Sequence, residues 1–91
     1  MLHKEQKMLK DLSKVCGLPI PHLESEINRL NISLPFSEKS LMNFLQNSNM
    51  GVNIVYNSRL YLEANSGYTF IRKAIYRTQR RYELSLYDWI F

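Results

Sequence analysis

From Ile71 to Phe91 the chain reads IRKAIYRTQRRYELSLYDWIF, and within it Ile71, Ile75, Thr78, Tyr82, Leu86 and Trp89 recur at steps of three and four residues. Lys73, Arg77, Arg80 and Arg81 fall on the other side of the same helical wheel. A period-two reading mixes Arg with Ile on one face, so the pattern predicts one long amphipathic helix and not a strand. Such a helix spans roughly 30 Å at 1.5 Å per residue, about the diameter of a small domain. In a chain of 91 residues this leaves room for a single domain, 1–91, of short elements packed beside it. The end of the helix then has to project or fold back, and residues 71–91 are expected to dock or dimerise through Tyr82, Leu86, Trp89 and Phe91.

The remaining elements follow from local signals. Leu2, Met8, Leu9, Leu12, Val15 and Cys16 mark one face of a first helix whose other face carries Lys4, Lys7, Lys10 and Lys14. Gly17 is a suitable C-terminal cap, with Pro19 just beyond. Pro21 opens a second helix to about Asn31, with Leu23, Ile27 and Leu30 inward and Glu24 and Glu26 in its first turns, where the helix dipole favours negative charge. Ser37 caps a third helix that reaches about Gln46 or Asn47 and buries Leu41, Phe44 and Leu45. VNIVY and RLYLEA then alternate as strands do, with Asn57-Ser58 as the turn, which predicts a β-hairpin before the long helix. Tyr61, opposite Leu60 and Leu62, is expected on the exposed face of that hairpin.

Three helices, a hairpin and a further helix make an α+β, mainly helical order of elements, and SEKSLMNFLQNSNMGVNIVYNSRLYLE resembles the recognition helix and wing of a winged helix-turn-helix domain. The resemblance covers roughly residues 4–80 and implies that the third helix enters the major groove while the tip at Asn57–Arg59 touches the DNA backbone or minor groove. Lys39, Ser40, Asn43, Gln46 and Asn47 would then contact bases or phosphates, with Arg59 at the wing tip. A second register, LSKVCGLPIPHLESEINRL, is also similar to a bacterial helix-turn-helix, but its outward residues include Glu24, Ser25 and Glu26, and acids repel phosphates.

Charge is distributed unevenly. Residues 1–17 carry about +2, 18–69 about −1, 70–81 about +5 and 82–91 about −2, giving the net +4. Lys73, Arg77, Arg80 and Arg81 are therefore the expected polyanion-binding residues, joined by Lys7, Lys10 and Lys14 if the first and last helices lie side by side. The partner is expected to be DNA, with RNA or an acidic protein as the alternatives, and a homodimer would double the contacts.

Catalytic and metal chemistry find no support in the residue types. There are two histidines, one cysteine, no Gly-rich phosphate loop and no nucleophile motif, so neither an enzyme nor a cofactor or metal site is expected. A lone Cys16 favours a reducing, cytoplasmic setting, and no apolar run reaches the length of a membrane span. Two functions of different classes fit this sequence. One is a small DNA-binding transcriptional regulator; the other is a non-enzymatic adaptor or inhibitor that docks an acidic partner through the wing and the last helix.

Overall fold

The computed structural model describes the backbone of residues 3–90 and the side chains of residues 6–86. Six helices follow one another: α1 (His3–Cys16), α2 (Ile20–Arg29), α3 (Glu38–Asn47), α4 (Gly51–Asn57), α5 (Arg59–Ala64) and α6 (Thr69–Ile90). Among the described residues there is no strand. The fold is all-helical and not α+β, and the hairpin wing does not exist.

The reason lies in which side chains of 51–64 are needed inside. Gly51, Ile54, Val55, Ser58 and Leu62 are buried, a set spaced three and four apart that only a helix can put on one side. Val52, Ile54 and Val55 have strand propensity, but that preference is weak against burial. The helical ladder is interrupted at Ser58, whose hydroxyl donates to the Ile54 carbonyl at 2.5 Å, a side-chain bond that competes with the backbone ladder. The Ser58 amide closes α4 on the Ile54 carbonyl (3.1 Å) and the Ser58 carbonyl opens α5 by accepting from the Leu62 amide (3.0 Å), so the two short helices meet at Ser58. Tyr61 is half-buried, not exposed on a wing, and its ring meets Tyr68 edge-on with centroids 5.6 Å apart.

The core gathers Leu9, Leu12 and Val15 from α1, Leu23 and Ile27 from α2, Leu41, Phe44 and Leu45 from α3, Ile54 and Val55 from α4, and Ile71, Ala74 and Ile75 from α6. These are the apolar stripes of amphipathic helices meeting in one place. α1 packs against α2, α4 and α5, whereas α6 packs against α3 and α4. The helix from 51 thus touches both the first and the last helices.

A glycine cap and one polar joint fix how the first helices meet the rest. Gly17 closes α1 at φ +73°, a left-handed conformation that glycine adopts without strain. Glu26, on α2, is buried, and it accepts hydrogen bonds from the Arg29 guanidinium (2.6 and 3.1 Å), the Ser48 hydroxyl (2.9 Å) and the Asn49 amide (2.9 Å). These donors, the Arg29 side chain first, hold its carboxyl down at about 2. Glu26 thus ties α2 to the α3–α4 turn, whereas the second helix-turn-helix register placed it facing outward.

Candidate nucleic-acid interface

α3 begins with a reciprocal cap. The Ser40 amide donates to the Ser37 hydroxyl at 3.0 Å, and the Ser37 amide donates to the Ser40 hydroxyl at 2.8 Å, satisfying two donors that every helix start leaves free. Ser40 is consequently committed to the cap and is not turned toward a ligand. With Leu41, Met42, Phe44 and Leu45 buried, the outward side of α3 carries Lys39, Asn43 and Asn47, with Gln46 half-buried at its margin. The Asn47 amide donates to the Asn43 carbonyl oxygen at 3.0 Å and to its side-chain oxygen. This pairing holds both amides flat along the helix.

α6 presents the basic cluster, and the structure divides it. Arg72 is taken into the fold: its guanidinium donates to the carbonyls of Leu62 (2.8 Å), Asn65 (2.6 Å) and Gly67, closing the C-terminal end of α5. Lys73, Arg77, Arg80 and Arg81 are exposed. Arg77 forms an ion pair with Glu38 in the first turn of α3, and this pair joins the two helices at the surface. Lys73 and Arg81 lie one turn to either side of Arg77 on the same edge, at i−4 and i+4. Arg80 is turned toward α5, where it lines an open groove of about 420 Å³ with Arg59, Tyr76, Gln79 and Glu83.

Lys39, Asn43, Gln46 and Asn47 on α3 and Lys73, Arg77 and Arg81 on α6 thus belong to two directly packed helices. Arg59 belongs elsewhere. It opens α5, sits 3.7 Å from Glu63 and occupies no wing tip. On α1, Lys7 pairs with Asp11 at 3.5 Å, and α1 meets the start of α6 where Met8 and Asp11 share a cavity with Thr69, Phe70 and Ile71. Tyr82 is half-buried and bonded inside the fold, Leu86 is exposed, and the Trp89 side chain and Phe91 lie outside the described residues.

Among the described residues no group of His, Cys, Asp and Glu is arranged to hold a metal ion. Cys16 is buried and its thiol is pushed up by that burial, which keeps it from reacting as a thiolate. No described helix is long and apolar enough to cross a membrane.

Sequence reasoning missed Glu38 as the partner of Arg77. It also missed the exposed edge made by Val52, Tyr56 and Leu60. Their spacing of four was the available signal, hidden by the strand reading. Fold and surface together define a small all-helical domain with a basic edge on its longest helix. No family model, no curated protein and no solved structure matches this chain.

Proposed function

We propose that this protein binds a nucleic acid, with duplex DNA as the expected target, and acts as a small DNA-binding regulator. The observation that carries the reading is the exposed row Lys73, Arg77 and Arg81 beside the polar outward side of α3. A helix is about 10–12 Å across with its side chains and so fits a major groove roughly 12 Å wide, and α3 is ten residues long. On this reading Lys39, Asn43 and Gln46 approach base edges while the α6 row neutralises phosphates alongside. Glu38 limits the row by holding Arg77.

Fluorescence anisotropy with a random-sequence duplex and an RNA hairpin tests it. Three or four phosphate contacts should cost about 40- to 150-fold in affinity between roughly 50 and 200 mM salt. Absence of binding to either probe at the lower salt would overturn the proposal and leave an acidic protein as the partner to seek.

A further inference from the structure

We infer that the cavity between α1, the α2–α3 loop and the start of α6 binds a small, uncharged aromatic molecule carrying an N–H or O–H donor. Its volume is about 330 Å³, and Met8, Phe36, Tyr68, Phe70 and Ile71 form most of its wall. That size and lining are those of ligand pockets, which combine apolar and aromatic walls with a few polar groups. Two of the rings are held in place before anything binds. Phe36 is buried and packs on Phe44 with ring centroids 5.7 Å apart. Tyr68 stands at φ +53°, a left-handed conformation that costs a bulky residue energy. Its hydroxyl lies 3.2 Å from that of Tyr61, and its carbonyl accepts from the Arg72 amide at 2.8 Å. Phe70, by contrast, is 40% exposed, apolar area that a bound ring would take out of water.

The polar groups decide the class of ligand. Asp11 is the one charged side chain on the wall among the described residues, and its carboxylate accepts hydrogen bonds but donates none. An anionic ligand would meet like charge there. An added cation is opposed as well, because α6 begins at Thr69, where the helix dipole places partial positive charge, and Lys7 already stands 3.5 Å from Asp11. A neutral donor meets neither objection. The pair with Lys7 leaves the carboxylate able to accept, since 3.5 Å exceeds hydrogen-bond length and the Asp11 side chain is still 32% exposed. The Tyr68 hydroxyl is taken up by Tyr61, and a threonine hydroxyl both donates and accepts, so Thr69 does not discriminate. Asp11 therefore selects the donor, while the aromatic and aliphatic wall selects the ring.

Titration of the isotope-labelled chain without nucleic acid, followed by amide NMR shifts, tests this independently of the proposed function. The probes are indole, N-methylindole, tryptamine and indoleacetate, one ring system with and without its donor and with either charge attached. Indole should bind with a Kd of about 1 mM or tighter, as a small fragment in a formed pocket does, and should shift the Thr69, Phe70 and Ile71 amides. N-methylindole, which has no N–H, should bind at least about fivefold more weakly, and both charged probes should bind more weakly than indole. Asp11→Ala should abolish the difference between indole and N-methylindole, and Phe70→Ala should weaken both, with unchanged helical circular dichroism in each variant. Absence of shifts at the cavity up to about 5 mM indole, equal binding of indole and N-methylindole, a preference that survives Asp11→Ala, or tighter binding of either charged probe would each overturn the inference.

Discussion

The Tyr82 hydroxyl on α6 donates to the Leu45 carbonyl on α3 at 2.5 Å, directly across the position where Gly51 has no side chain. Leu45 is one of the last residues of its helix, whose carbonyls lack partners within it. A Cβ at position 51 would lie 1.9 Å from that carbonyl oxygen and 3.0 Å from the Tyr82 hydroxyl. Three helices meet there because the middle one begins with glycine.

Gly51→Ala is therefore expected to destabilise the fold by about 3 kcal/mol or more, since backbone must move to admit the methyl group. Tyr82→Phe should cost only about 1 kcal/mol, the ordinary net worth of one hydrogen bond. Urea unfolding of both variants distinguishes close packing from the hydrogen bond; equal losses would contradict the account.

Glu26 makes stability depend on acid pH. Folding holds its carboxyl at about 2, below its ordinary 4.5, so its contribution is complete above 4.5 and is lost as pH falls toward 2. Thermal melts at about pH 7, 4 and 3 should show that loss. Glu26→Gln should lower the melting temperature at neutral pH and flatten the acid limb, because the Arg29 pair disappears while acceptance from Ser48 and Asn49 survives.

Arg72 and Lys73 are adjacent in sequence and opposite in role. Arg72→Met should cost about 2 kcal/mol of stability through the lost bonds to the Leu62, Asn65 and Gly67 carbonyls, with nucleic-acid affinity little changed at a temperature where the variant is folded. Lys73→Ala should leave stability within about 0.5 kcal/mol and reduce the salt slope by about one phosphate contact. Denaturation and anisotropy on the same two proteins check both statements.

Glu38 restrains Arg77. Glu38→Gln should release the guanidinium to the polyanion and remove a repulsive charge, raising nucleic-acid affinity by roughly three- to tenfold at low salt while costing no more than about 1 kcal/mol of stability. An affinity that falls would mean that the pair orients Arg77 toward the ligand.

Ser40 separates capping from recognition. Ser40→Ala should lower stability by about 0.5 to 1 kcal/mol through the broken reciprocal cap and leave sequence preference unchanged, whereas Asn43→Ala or Gln46→Ala should alter it. Selection from a randomised duplex pool provides the comparison.

Sequence alone determined the four longer helices and much of their inner faces. The stripes of α1, α2, α3 and α6, the caps at Gly17 and Ser37, and the cation-rich edge of α6 follow from periodicity and local backbone preference, which act over one or two turns. Tertiary structure decided whether 51–64 became hairpin or helix. Its β-branched residues favour a strand, and only the simultaneous burial of Gly51, Ile54, Val55, Ser58 and Leu62 against α1, α3 and α6 outweighs that preference. The same long-range packing turned Glu26 inward, drew Arg72 onto the end of α5 and set Glu38 against Arg77. The pairings of Glu26 with Ser48 and Asn49 and of Glu38 with Arg77 depend on which residues distant in the chain arrive at the same place, and no window of one or two turns contains both partners.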